Sequence, residues 1–363
     1  MILTIILTED KYNGTNMYSV SEDGKFAIHT FSSNTSPAVT QIIRLPSHES
    51  ANVLAANDRL ARHLSALNLP QFEFFRVDIP CRDIPMDSNE GGSKGGGSGS
   101  EGGSGTVALD AWCLYPPDFD SAAIATYPVI FHVYGEPAGQ LVRDMWMGKN
   151  GLWHRMLAQQ GAVVICIDNR GVPAPRGRKW RKCIYGKIGQ LASEDQVEAV
   201  RRVLQTRAYL NPSKVAVWGW SGGGSMTLNA LFRYPETYHC GISVAPVPDM
   251  NLYDTIYQER YMGLPTVNEA GYRNGSPISF AHQMKESQSL LLIHGTGDDN
   301  CHYAGTEKLI NVLIEHNKPF QMLAYPNRSH SISEGANTSR HLYSQMTTFF
   351  KTNGYIKETV VWL

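Results

Sequence analysis

The stretch "KVAVWGWSGGGSMTLNALFRY", Lys214–Tyr234, decides how the rest of the chain is read. A short apolar run leads up to Trp218, and from Gly223 onward the spacing is helical. Between them, Gly219-Trp220-Ser221-Gly222-Gly223 fits G-x-S-x-G in a strand–turn–helix setting, the context of a nucleophile elbow. Such a turn is strained, and strand, helix and serine approach closely only if neighbouring side chains are absent. The glycines supply that room. They leave the Ser221 hydroxyl exposed at the carboxyl edge of a sheet, with the Gly222 N–H free to face a developing oxyanion. A glycine-rich phosphate cradle is the bland alternative for the same turn.

Around this stretch, short apolar runs alternate with helical patterns from Tyr127 to the end. The runs are "YPVIFHVYG", "AVVICIDNRG", "KVAVWGWS", "CGISVAPV", "SLLLIHGTGDD" and "PFQMLAYP". Helical spacing covers 193–209, 223–234, 304–316 and 337–351. Continuous apolar strands separated by helices predict a mostly parallel sheet with helices on both faces, an α/β class. Upstream, "FEFFRVDIP" and "VALDAWCLYPPDFD" read as two strands of one hairpin, whose tip is the Gly/Ser-rich stretch 91–105. That stretch has nothing to bury and is expected to be disordered. Residues 1–50 read as β-hairpins, with a turn at Glu22-Asp23-Gly24, and residues 50–68 carry helical spacing. The division expected is 1–50 and 51–363.

A serine nucleophile needs a base, and the base needs an orienting acid. In this arrangement they follow in the order Ser, Asp, His, each after a later strand. "LLLIHGTGDDN" ends a strand at Asp298-Asp299, and "FQMLAYPNRSHSIS" ends the next shortly before His330. Asp298 is assigned as orienter and His330 as base, with Asp299 the competing acid. His294 lies inside a strand and His302 opens a helix, so both read as structural. Tyr134 ends the strand "FHVYG" and is a candidate second oxyanion donor beside the Gly222 N–H; a buried tyrosine satisfying its own hydroxyl is the alternative.

Composition bounds the rest. The chain has 363 residues, 42% of them hydrophobic and 18% charged, with a net charge of −1, as in an ordinary globular protein with ample core material. This balance argues against nucleic-acid or membrane-surface binding as a main role. The basic stretch "RGRKWRKCIYGK", 176–187, reads as a solvated loop. No run reaches the length of about 18 apolar residues that a membrane-spanning helix needs. The opening "MILTIILTEDKYNG" has neither a basic n-region nor a cleavage site and reads as a strand, not a signal peptide. Six cysteines show no metal-binding spacing, no cofactor is implied, and nothing fixes the compartment.

At "GWSGGG", "SVAPVPDMNLYDTIYQERYMGLP", "HGTGDDNCHY" and the His330 loop, the chain resembles the prolyl oligopeptidase family, and within it the dipeptidyl peptidase IV group. The resemblance implies an α/β-hydrolase fold preceded, at "YSVSEDGKFAIHTFSS", by the last strands of a β-propeller. It implies a serine peptidase that acts on peptides with proline next to the scissile bond, often releasing dipeptides, and in many members a homodimer. By position it makes Ser221, Asp298 and His330 the triad, and Tyr134 and Gly222 the oxyanion donors. Tyr253 and Tyr257, with Val247 and Trp220, would wall a proline pocket, and Asn300 would bind the substrate backbone. An aromatic slot suits a flat ring that lacks an N–H; if helical, Tyr253 and Tyr257 share one face. Three departures stand out. Most of the propeller that carries the amino-terminus-binding glutamates in this group is missing. Glu136 stands in "YGEP" and Ser331 after His330, where the family usually has glycine. The alternatives are a broader esterase or acyl-peptidase, and a poorly active truncated member whose open β segment pairs with another chain.

Overall fold

A computed structural model describes residues 12–81 and 105–357. The expected loop 91–105, apart from Gly105, and the opening strand through residue 11 lie outside the described residues. The strands are β1 (Thr15–Val20), β2 (Phe26–Ser32), β3 (Val39–Arg44), β4 (Ser50–Ala55), β5 (Gln71–Pro80), β6 (Thr106–Tyr115), β7 (Tyr127–His132), β8 (Val163–Ile167), β9 (Leu210–Trp220), β10 (Cys240–Val244), β11 (Ser289–Gly295) and β12 (Gln321–Tyr325). The α-helices are α1 (Asp58–Ser65), α2 (Gly148–Gln159), α3 (Gly177–Lys182), α4 (Gln190–Thr206), α5 (Gly222–Arg233), α6 (Thr255–Met262), α7 (Glu269–Gly275), α8 (Tyr303–Glu315) and α9 (Thr338–Thr352).

Eight strands form one sheet in the order β12-β11-β10-β9-β7-β8-β6-β5. The six strands from β12 to β8 run parallel; β6 and β5 join antiparallel, with Gln71 opposite Tyr115 and Pro80 opposite Thr106. Alternate residues of each central strand enter separate cores. Val129, Phe131, Val215 and Val217 pack with α4, α5 and α8; Ile130, Ala216 and Trp218 pack with α2 and α9. Burial on both faces explains why the sequence shows continuous apolar runs rather than alternation.

Among the described residues, Thr15–Ala55 form a separate antiparallel sheet, β1-β2-β3-β4. Helical spacing over 50–68 is thus corrected: Ser50–Ala55 is strand β4, paired with β3 across two register shifts, and only Asp58–Ser65 is helix. Pairing with the open edge of β3 satisfies backbone groups that a helix would have left to water, and overrides local spacing. This sheet meets the larger one through the β7–α2 connection. Asp144 accepts hydrogen bonds from the backbone N–H and side-chain amide of Asn34, both at 2.7 Å, and Thr15 Oγ1 donates to the Asp144 carbonyl at 2.8 Å. Among the described residues no helix is long and apolar enough to cross a membrane.

Candidate active site

Ser221, Asp298, His330 and Tyr134 each follow the carboxyl end of a parallel strand, where ligands bind in open α/β sheets. Ser221 sits between β9 and α5 with φ 59° and ψ −122°, a left-handed conformation for a residue with a side chain. Its N–H donates to the Val244 carbonyl of β10 at 2.8 Å, which holds the turn in that strained state. The flanking glycines are required by contact. A Cβ on Gly223 would land on the Val133 carbonyl oxygen and within 3.3 Å of Tyr134 Cα, so β7 and α5 meet only because it is absent. The Gly222 N–H lies in the first turn of α5, where unpaired amides and the helix dipole favour negative charge.

Asp298 is buried and is the meeting point of four donors. Its Oδ2 accepts from His330 Nδ1 at 2.7 Å and lies 3.2 Å from His294 Nε2; its Oδ1 accepts the backbone N–H of Asn300 and of Cys301, each at 2.9 Å. Burial raises the carboxyl pKa, but the hydrogen bonds from His294 and His330, the charge of His330 and the Asn300 N–H together outweigh it and hold the group well below the usual carboxylate range. Asp299, the competing acid, is exposed. His294 is fully buried and shares the carboxylate. Its Nε2 also lies 2.8 Å from the Cys301 carbonyl, which only accepts, so Nε2 carries the proton and Nδ1 accepts from Thr306 Oγ1 at 2.7 Å. Sequence reasoning placed His294 in a strand but had no signal for this shared carboxylate beyond its spacing four residues before Asp298.

A cavity of about 390 Å³ is lined by Ser221, His330, Tyr134 and Gly222 on one side and by Val247, Tyr253, Tyr257 and Asn300 on the other. Ser221 Oγ lies 3.9 Å from Cys301 Sγ, and among the described residues no hydrogen bond joins it to His330. The structure thus brings the three groups to one cavity rim with the His330–Asp298 contact made and the Ser221–His330 contact open. Cys301 was not singled out from sequence; its place directly after Asn300 was the available signal. Burial, then the neighbouring Glu136, Cys301 and Tyr261 charges, push the Tyr134 hydroxyl up to about 12, so it is a protonated donor.

The aromatic wall differs in detail from expectation. Tyr253 precedes α6 in extended conformation (φ −101°, ψ 165°), and Asp254 caps the helix by accepting from the Tyr257 N–H at 2.8 Å. The two rings still meet edge to face, with centroids 5.5 Å apart, and Tyr253 Oη donates to Asn300 Oδ1 at 2.9 Å. Trp220 is not among the cavity-lining residues. Its indole N–H donates to the His330 carbonyl at 2.9 Å, so it fixes the His330 loop instead. Ser331, next to His330, is exposed. Glu136 is buried in the cavity wall, where Oε2 accepts from Tyr257 Oη at 2.9 Å; burial pushes its carboxyl up to about 7, and the Tyr257 bond opposes that shift.

The prolyl oligopeptidase family profile matches residues 153–354, more than half of the chain. The chain is 36% identical over 241 residues to mouse prolyl endopeptidase FAP, covering 66% of this chain and 30% of that protein. It is 38% identical over 220 residues to mouse dipeptidyl peptidase 8, covering 60% and 24% respectively. Among solved structures, Porphyromonas gingivalis dipeptidyl peptidase 4 superposes with a TM-score of 0.80 at 34% identity, covering 93% of this chain and 43% of that one. The chain therefore spans under a third of these two curated relatives' length.

Proposed function

Because the chain belongs to the prolyl oligopeptidase family, we propose that it is a serine peptidase that cleaves peptides after proline by acyl transfer. The observation that carries this reading is the placement of Ser221, on its strained turn, in the same cavity as a His330 already bonded to Asp298.

With its Nδ1–H donated to Asp298, His330 presents Nε2 as an acceptor. The Ser221 hydroxyl turns from Cys301 toward that nitrogen as substrate enters; catalytic hydrogen bonds often tighten only in the complex. Nε2 takes the proton while Oγ attacks the carbonyl carbon. Negative charge then grows on the carbonyl oxygen, where the Gly222 N–H and the Tyr134 hydroxyl donate. His330 returns its proton to the leaving amine, and water, deprotonated by the same nitrogen, releases the acyl group. Val247, Tyr253 and Tyr257 take the proline ring, and Asn300 holds the substrate backbone. We assign the β1–β4 sheet to the end of a β-propeller. The chain would then carry the chemistry, with selection at the substrate's amino terminus made elsewhere.

The test combines a fluorophosphonate probe with Gly-Pro and Ala-Pro chromogenic amides. Labelling of the wild type and not of Ser221→Ala, together with release from the prolyl amides, is expected. Labelling and ester cleavage without release from any prolyl amide would replace this reading with a broader esterase.

A further inference from the structure

Glu136 and Gly222 share one volume. A Cβ on Gly222 would fall on Glu136 Cγ and within 3.2 Å of its Cβ and Cδ. The glutamate stem therefore fills the wall that a side chain at 222 would otherwise form, directly beside the nucleophile. One carboxyl oxygen is held by Tyr257 Oη at 2.9 Å; the other, Oε1, has no hydrogen-bond partner among the described residues. The walls near it, Val247, Met250, Tyr253 and Tyr257, are suited to a ring. An apolar slot with one unused acceptor fits a ring that carries one donor.

We propose that Glu136 is a specificity-determining residue that selects a substrate whose residue before the scissile bond bears a hydroxyl, 4-hydroxyproline over proline. This rests on the post-proline reading above. The ring lies against Tyr253, Tyr257 and Val247, and its hydroxyl donates to Glu136 Oε1. Plain proline fills the same slot but strips water from Oε1 without replacing it, and a buried acceptor left unpaired is what makes such sites reject the analogue lacking the donor. Above about pH 7 the carboxylate presents Oε1 as the acceptor; in the neutral form Oε2 stays the carbonyl oxygen bonded by Tyr257, the proton sits on Oε1, and Oε1 then donates to the ring hydroxyl oxygen instead.

The experiment compares kcat/KM for Gly-hydroxyprolyl and Gly-prolyl 4-nitroanilides on the full chain. The wild type is expected to favour the hydroxylated substrate by about tenfold or more. Glu136→Met, which keeps bulk and loses the acceptor, is expected to bring the ratio to one or below; Glu136→Gln, which keeps a carbonyl oxygen, restores part of it. A loss of shape alone would slow both substrates equally. A wild-type ratio at or below one overturns the assignment whether or not the variants fold. If neither amide is cleaved, the post-proline reading fails. Glu136 is then judged by calorimetric binding of the dipeptides Gly-Hyp and Gly-Pro: tighter Gly-Hyp binding that Glu136→Met abolishes sustains the assignment, and equal or absent binding overturns it.

Discussion

Replacing Asp298 by asparagine tests the proposed chemistry with the smallest change of shape. Asp298 accepts from four groups: the N–H of Asn300 and Cys301 on Oδ1, and His330 Nδ1 and His294 Nε2 on Oδ2. Asparagine keeps one oxygen for the two backbone donors. Its NH2 then faces two ring N–H groups, a donor against donors. His294 cannot relieve this by moving its proton, because Nε2 serves the Cys301 carbonyl and Nδ1 accepts from Thr306. His330 can, by shifting its proton to Nε2. That places a proton on the nitrogen that must accept one from Ser221.

A base held in the wrong tautomer loses about 10³–10⁴ in rate, roughly 4–5.5 kcal/mol at 1.36 kcal/mol per decade. The His294 N–H keeps the Cys301 carbonyl, but the substituted amide's NH2 faces that donor with no acceptor of its own, which adds a stability cost of about 1–3 kcal/mol, read as a Tm lower by a few degrees. The assay is the second-order rate of Ser221 labelling by a fluorophosphonate, with circular dichroism to show that the variant is folded. Asp299→Asn, at the exposed neighbour, is the control and stays within twofold. A folded Asp298→Asn protein that labels within tenfold of wild type would refute the assignment of His330 as a base oriented by this carboxylate.

Three further outcomes follow from the geometry. Gly223→Ala places a Cβ on the Val133 backbone, which has no flexible end to yield; it should destabilise by about 1–3 kcal/mol or more, and a chemical-denaturation midpoint equal to wild type would contradict the close approach of β7 and α5. Glu136 is neutral below about pH 7 and negative above it; facing it are Tyr134, Tyr253, Tyr257, Cys301 and His330. A charge there opposes the growing oxyanion, so turnover of a neutral p-nitrophenyl ester should decline above pH 7, and a decline of equal steepness in Glu136→Gln would remove that cause. His132 is buried and burial pushes its pKa down to about 3; the unfolded chain takes up this proton near pH 6.5 and the folded one does not. Stability should fall as pH drops from about 6.5 toward 3, and His132→Phe should flatten that acid limb of Tm against pH.

The parts of the site that were legible in sequence are those fixed by strand ends. A residue just beyond an apolar run in a parallel sheet has one place to go, so the position of Ser221, Asp298, His330 and Tyr134 at one sheet edge could be read by counting from β9, β11, β12 and β7. The hairpin β5–β6 and the helices α4, α5, α8 and α9 were legible because their periods hold over ten residues or more. What escaped depends on contacts that no local pattern encodes. Ser50–Ala55 has helical spacing, and only the open edge of β3 makes it a strand. Tyr253 and Tyr257 are four apart, as on a helix face, yet they meet because Asp254 starts the helix between them.

The Glu136–Gly222 pair shows the same limit in the wall of the candidate site's cavity. Read one residue at a time, Glu136 is an added charge beside an oxyanion donor, and Gly222 is one more glycine in a tight turn. The two lie 86 positions apart, and each is explained only by the other: the glutamate stem occupies the space where a side chain at 222 would sit, and that occupancy places a carboxyl in the wall. Substituting either one alone therefore changes a packed contact, and the two substitutions should be non-additive by about 0.5–3 kcal/mol, as for any pair sharing a cavity wall. Gly222→Ala alone forces the glutamate off Tyr257, whereas Gly222→Ala with Glu136→Gly removes the clash. Recovery of the labelling rate in the double variant, absent from Gly222→Ala, is the expected result. Equal losses in the two would mean that the Gly222 backbone itself, rather than the shared volume, is what the site cannot give up.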